Sequence, residues 1–382
     1  MKKLCNWQIG LMNNYSKSLP NKTVVGYRGS LPFCIGIGWL VGVLFCFVSG
    51  ATVVDAALPL VRVENAREVF DNGEHNAFTD LIRFRDRLYL TFRSCPDGHM
   101  VHGTSSIIVL VSDDGREWRQ VYRFRVPNRD TRDPHFLEFQ GRLFVYTGTW
   151  YSGPGKLPRE KYEFNKHLGF GVWTHDGESW SEPVMLEGTY GHYIWRAAAF
   201  DGTAYLCGRR KANFAERPRA EVVVQSVMLE SDDGLVWRKR ALFQEQTGDE
   251  TAFMFDAHGE VLAVSRRGRE VAELLRSGPP YKVWTRTRLD EYIGGPLLVR
   301  WADGILVGGR RMTEQGHITT LYWLLDNQLH PCAELPSGGD NSYPGFVSMN
   351  DGKALLSWYS SHEQYPDGSR KTAIYLADLR LE

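Results

Sequence analysis

From residue 77 onward, short apolar runs come in pairs across tight turns rich in Asp and Gly. The pairs are 79–84 with 87–93, 133–139 with 142–149, 196–200 with 203–210, 251–255 with 260–267, 295–301 with 305–311, and 343–349 with 353–361. Their turns include Arg85-Asp86, Gln140-Gly141 and Asp201-Gly202. Runs of this length bounded by such turns predict β-hairpins. Successive hairpins lie roughly 45 to 60 residues apart, the period of four-stranded propeller blades. Further apolar runs at 107–111, 170–173, 222–229, 319–325 and 372–376 supply third strands. Runs at 121–124, 184–186 and 238–242 supply fourth strands. No stretch keeps a helical period, so the expected fold is all-β: a six-bladed β-propeller with four-stranded blades. The sixth blade has only three strands before Glu382. The unpaired run Val61–Phe70 is placed to supply its fourth and close the ring.

One heptad marks the register. Ser112-Asp113-Asp114-Gly115-Arg116-Glu117-Trp118 returns as Ser231-Asp232-Asp233-Gly234-Leu235-Val236-Trp237 and, more loosely, as Thr174-His175-Asp176-Gly177-Glu178-Ser179-Trp180. A hydroxyl and a carboxylate bond the turn amides, Gly takes the positive φ, and Trp packs the turn onto the sheet. The box is structural, and sits at the turn from third to fourth strand.

Residues 1–57 differ from the remainder, 58–382. Lys2, Lys3, Lys17, Lys22 and Arg28 precede an uncharged apolar run at 31–50, and small residues follow (Ser49-Gly50-Ala51, Val54-Asp55-Ala56). This is the pattern of a signal peptide, with Met12 as an alternative start, or of a membrane anchor through residues 31–51. The expected location is therefore secreted or periplasmic, or anchored at the membrane. Lys plus Arg and Asp plus Glu are equal at 45 each, which gives no global field for nucleic acid. Of six cysteines only Cys95, Cys207 and Cys332 lie beyond that segment, neither a disulfide framework nor a zinc site.

Propeller geometry brings the starts of the inner strands and the ends of the second strands to one face. The starts are polar: His75-Asn76, Arg132-Asp133, Trp195-Arg196, Asp249-Glu250, Gly294-Gly295 and Asp340 to Tyr343. The ends are Arg93, Tyr151, Arg209-Arg210, Arg266-Arg267, Arg310-Arg311 and Ser360 to His362. Such an arginine-rich funnel suits an anionic ligand, above all a carboxylate gripped by bidentate guanidinium groups. Inter-blade ion pairing is the structural alternative for each arginine.

Three boxes on a six-bladed plan resemble the sialidase (neuraminidase) superfamily over essentially all of residues 61–382. The resemblance implies a Tyr nucleophile opening the sixth blade and a Glu base opening the fourth. Tyr343 and Glu250 stand in those places. It implies arginines after the second strands of blades four and five, where Arg266-Arg267 and Arg310-Arg311 lie. A phenol is a weak nucleophile near neutral pH and needs a carboxylate to take its proton. The first blade departs from the pattern: Asn76-Ala77-Phe78-Thr79 replaces the family's Arg-Ile-Pro. Arg93, Arg132 or Arg196 are candidate substitutes for the missing arginine. The family's acid/base Asp lies in the loop after the first blade's second strand, where Asp97 is nearest. Asp80 and Asp133 are rivals, as are His75, His102 and His135.

Two functional classes follow. One is an exo-glycosidase for a terminal acidic sugar, sialic acid or a uronic acid, with a glycan as partner and no metal or cofactor required. Its catalytic residues would be Tyr343, Glu250 and Asp97. Arg93, Arg132, Asp133, Arg196, Arg266, Arg267, Arg310 and Arg311 would bind substrate. The other is a non-catalytic propeller that binds glycan or protein through the same funnel.

Overall fold

A computed structural model describes residues 58–154, 157–217, 221–350 and 352–382. The leader or anchor expected within residues 1–57 lies outside them. Among the described residues, twenty-four strands form six antiparallel sheets of four. Blade one is β2–β5 (His75–Phe84, Arg87–Cys95, Ser106–Ser112, Arg119–Phe124), and blade two is β6–β9 (Arg129–Phe139, Arg142–Tyr151, Leu168–Thr174, Val184–Met185). Blade three is β10–β13 (Tyr193–Phe200, Thr203–Lys211, Val224–Ser231, Arg238–Gln244). Blade four is β14–β17 (Thr251–Phe255, Val261–Arg267, Glu270–Ser277, Thr285–Arg288) and blade five β18–β21 (Gly294–Trp301, Gly304–Thr313, Gly316–Leu325, Gln328–Leu335). Blade six joins β22–β24 (Asn341–Asn350, Lys353–Gln364, Arg370–Leu381) to β1 (Val61–Phe70). The first strand thus pairs with the last, Val61 opposite Leu381, and the ring closes as the sequence predicts.

The hydrophobic pattern locates most strands within a few residues. Polar or interrupted strands escape it: β17 is polar throughout, and Glu, Arg, His or Pro interrupt β16 and β21, so no apolar run announces them. The core lies between blades rather than at the centre. Tyr343 and Tyr359 of blade six pack with Phe78 and Phe92 of blade one, and Trp301 and Trp323 of blade five with Trp358 of blade six. Each heptad box forms the same turn. The Ser112, Thr174 and Ser231 hydroxyls accept the amides of Gly115, Gly177 and Gly234 at 2.8, 2.9 and 2.9 Å. Asp114, Asp176 and Asp233 each accept the amides two and three residues further on. Cys95 and Cys207 are buried, Cys332 is half-buried, and all three are free thiols.

Candidate active site

Five of the six inner strands carry a bulge near the channel. The register slips between Ala77 and Asp80, Arg132 and Pro134, Ile194 and Ala197, Gly294 and Leu297, and Ser342 and Gly345. A bulge breaks the in-out alternation and re-aims the extra residue. Phe78 (φ 65°), Asp133 (φ 50°), Gly295 (φ 61°) and Tyr343 (φ 54°) sit at these kinks. Backbone of this kind is costly for a residue with a side chain and persists where packing over-determines it. Gly295 has no latitude: a Cβ there would come within 2.6–2.9 Å of the Tyr343 ring.

Tyr343 donates its phenol to Glu250 Oε1 at 2.8 Å, across 93 positions of sequence. The other oxygen, Oε2, accepts Arg266 Nη1 at 3.1 Å and the Gly295 amide at 3.2 Å. Both oxygens of the carboxylate are therefore engaged, and its plane is fixed against the phenol. Burial, reinforced by the negative charge of Glu250, pushes the Tyr343 phenol well above its ordinary range. The resting pair is a neutral phenol on a carboxylate.

This pair forms the floor of a cavity of about 830 Å³. Arg266 and Arg310 line it from blades four and five, and the Arg310 guanidinium lies 5.6 Å from the Tyr343 ring. Arg310 spends Nε and Nη2 on Asn341 O, Asp340 and the Tyr359 hydroxyl, while Arg266 spends Nε on Gly268 O and Nη1 on Glu250. Nη1 of Arg310 and Nη2 of Arg266 have no partner among the described residues. Asp133 is 4% exposed and accepts the Tyr193 hydroxyl, while its Oδ1 meets no donor among the described residues. Burial, then the nearby Glu250 charge, raises its carboxyl to about 7. Trp150, Tyr162 and Phe164, from the end of β7 and the connection that follows it, make an aromatic wall.

The lining holds seven basic side chains (Arg132, Arg159, Arg209, Lys211, Arg266, Arg269, Arg310) against six acidic ones. The funnel is thus far less cationic than the sequence suggests. The doubled arginines split because strand side chains alternate. Arg209, Arg266 and Arg310 face the cavity, whereas Arg267 pairs with Glu270 and Glu273, and Arg311 with Glu291 and Glu334. Arg196 lies below the floor, bonded to Asp80, Pro296 O and Pro344 O. Arg93 is fully buried, with Nε on Asp130 at 3.0 Å and its other nitrogens on the Gly98 and Met100 carbonyls, both at 3.1 Å. Arg132 does line the cavity, yet it too bonds Asp130 and the carbonyls of His99 and Met100. Asp97 points away: it is exposed, accepts the Thr104 hydroxyl at 2.5 Å and is absent from the cavity wall.

The first blade, which carries no arginine at its opening Asn76-Ala77-Phe78, brings the Phe78 ring to 4.9 Å from Tyr343 and 5.4 Å from Tyr359. Sequence reasoning set Arg209 among the converging strand ends without giving it a role, and missed His99 altogether. Position alone would have drawn attention to His99, two residues beyond Asp97 in the same loop. His75 Nε2 and His99 Nδ1 both meet Asp340 Oδ2, at 2.9 and 2.6 Å. These three groups lie close enough for a cation to bridge, within 4.8 Å. Arg310 already holds the other oxygen of Asp340, at 3.1 Å, so a metal ion would face a guanidinium across one carboxylate. The cluster reads as a hydrogen-bond network. Of the other histidines weighed from sequence, His135 is buried against Asp80 below the floor, and His102 is buried away from the cavity lining.

No family model and no curated protein matches this chain. Solved structures do. A Dyadobacter fermentans protein of unknown function superposes with a TM-score of 0.69 at 18% identity, over 85% of this chain and 100% of that one. The NanB sialidase of Streptococcus pneumoniae gives 0.63 at 10%, over 82% and 70%. The Trypanosoma rangeli sialidase gives 0.57 at 12%, over 80% of this chain and 55% of that one. The chain shares with these structures the fold of a six-bladed propeller.

Proposed function

We propose that the protein is a retaining exo-glycosidase for a terminal acidic sugar, with sialic acid the first candidate and a uronic acid the second. The observation that carries this is the Tyr343–Glu250 hydrogen bond on the floor of a cavity flanked by Arg266 and Arg310. A binding protein needs no phenol held on a fully oriented carboxylate. In the reaction, Tyr343 Oη bonds to the anomeric carbon as its proton moves to Glu250 Oε1 and the glycosidic bond breaks. A neutral phenol approaches a carboxylated sugar without the repulsion that a carboxylate nucleophile would meet. The unpaired nitrogens of Arg266 and Arg310 take the sugar carboxylate. Asp133 meets a sugar hydroxyl. The likeness to sialidases supports the reading at the level of fold. The basic–apolar–small pattern of residues 1–57 is in keeping with a secreted or periplasmic protein, or one anchored at the membrane through residues 31–51.

Fluorogenic sialosides and uronides test the proposal. The wild type should turn over one class. Tyr343→Phe and Glu250→Gln should each lower kcat/KM by about 10²–10⁴-fold, and a fluorinated analogue of that sugar should label Tyr343 by mass spectrometry. The lack of an arginine at the opening of the first blade favours a second reading, a glycan-binding propeller. Micromolar binding of an acidic glycan without turnover would establish that reading instead.

A further inference from the structure

The cavity described above holds a nucleophile and its base, yet the loop carboxylate expected to handle the leaving group points into solvent. The loop that carries Asp97 delivers a different side chain to the cavity. His99 lines it, with 43% of its side chain exposed. Its Nδ1 edge rests on Asp340 Oδ2 at 2.6 Å. Burial pushes the Asp340 carboxyl up, but the hydrogen bonds of His75 and His99 and the charge of Arg310 outweigh it and hold the group well below the usual carboxylate range. An ionised carboxylate only accepts, so Nδ1 carries the hydrogen. Nε2 is then the ring's working nitrogen, a donor when the imidazole is charged and an acceptor when it is neutral.

The surrounding structure fixes the ring. The main-chain oxygen of His99 accepts Arg132 Nη2 at 2.6 Å, and that of Met100 accepts both Arg93 and Arg132 at 3.1 Å. Gly98 O takes Arg93 Nη1. Asp130, fully buried, pairs with both guanidinium groups. Two buried charges spent on holding a three-residue loop are costly unless that loop must keep its place. Phe78 packs against both the histidine and the nucleophile, its ring centre 5.6 Å from His99 and 4.9 Å from Tyr343. All three side chains line the same cavity.

We infer that His99, oriented by Asp340, is the general acid and base of this site, and that Arg93 and Arg132 are positioning residues that hold its loop. The inference rests on the glycosidase reading above. In the first step His99 Nε2–H protonates the glycosidic oxygen as its bond to the anomeric carbon breaks, while Tyr343 Oη bonds to that carbon and gives its proton to Glu250. In the second step water attacks the anomeric carbon, neutral His99 takes a proton from the water, and the Tyr343–carbon bond breaks. The phenolate recovers its proton from Glu250. The charged groups facing His99 are Asp340 and His75 by contact, Arg310 through Asp340, and Arg132 through the main chain.

The test compares wild type, His99→Gln and Asp133→Asn in the full chain on two glycosides of one acidic sugar, a methylumbelliferyl and an alkyl glycoside. His99 is half exposed, so the variant should fold, as a circular dichroism melt will check. His99→Gln should lose at least about 100-fold in kcat/KM on the alkyl glycoside, within the usual range for a general acid. It should lose less than about tenfold on the aryl glycoside, whose leaving group needs no proton. The alkaline limb of its pH–rate profile should vanish, and azide should restore turnover with a glycosyl azide as product. Equal losses on both substrates, or none, overturn the assignment. The leaving-group-dependent loss appearing in Asp133→Asn instead gives the role to Asp133. A wild type inactive on both glycosides removes the glycosidase reading, and the acid–base role with it.

Discussion

Tyr343 reaches its task through three constraints: a bulge that kinks its backbone, a glycine opposite its ring, and a carboxylate locked by Arg266 and the Gly295 amide. Asp133, like the Tyr343 phenol, is pushed toward its neutral form by burial and Glu250. Its folded carboxyl titrates near 7 against an ordinary 3.8, because burial and Glu250 disfavour the anion. Between about pH 4 and 7 the native state therefore binds more protons at this site than the unfolded chain, and its contribution to stability falls as pH rises. Asp133→Asn removes that term. The variant should gain on the wild type as pH rises, with the difference in Tm widening by about 2–5 °C between pH 5 and pH 8. Melts of both proteins at the two pH values check this; a difference independent of pH would mean that Asp133 ionises normally. At this scale the sequence was readable wherever strand position alone decides. Tyr343, Glu250, Arg266 and Arg310 open or close strands, and they meet. Asp97, Arg93, Arg196, Arg267 and Arg311 required knowing which way a side chain points, and that depends on bulges and loop bonds with no compositional mark.

Strands and turns divide the work between rim and channel. The three heptad boxes sit at the outer turns, and Asp114, Asp176 and Asp233 at their centres accept main-chain amides and a neighbouring hydroxyl. That is why they were legible as repeats and silent about chemistry. Asp233 accepts the amides of Leu235 and Val236 at 2.8 and 2.9 Å and the Ser231 hydroxyl at 3.0 Å. Asp233→Ala strips a turn of the bonds a helix cap would supply, for which about 1–2 kcal/mol is usual. We expect an unfolding midpoint lowered to match, with kcat/KM within twofold of wild type, measured by urea titration and steady-state kinetics on the same preparation. A large fall in activity would tie the rim to the cavity through a coupling that the contacts do not contain. At the inner end the strand entrances carry the bulges. A polar strand entrance was visible in the sequence, but a slip of register was not, since it arises only when two strands are paired.

The ring closes at its rim through β1 on β24, and it is also tied through its centre. Arg196 of blade three donates to Pro296 O of blade five at 3.0 Å, Asp80 of blade one at 3.0 Å and Pro344 O of blade six at 2.7 Å. Asp80 in turn accepts the Phe136 amide of blade two at 2.9 Å, with His135 Nδ1 at 3.3 Å. One ion pair thus gathers five blades directly beneath the floor, and Pro344, its partner in blade six, follows the nucleophile in sequence. Sequence convergence predicted that Arg196 reaches the channel; the depth at which it stops could not be read, because the bulge at 194–197 sets it. Removing one partner of a buried pair leaves the other charge without compensation, typically a loss of 3–5 kcal/mol. Arg196→Met should therefore lower stability by about that amount, while Arg196→Met with Asp80→Asn should recover part of it, because no bare charge is then left in the channel. Guanidinium unfolding of the four members of the cycle measures the coupling. Simple additivity of the two substitutions would show that Arg196 and Asp80 act separately, and the central tie would then have to be sought in the aromatic packing of Phe78, Trp195 and Tyr343 instead.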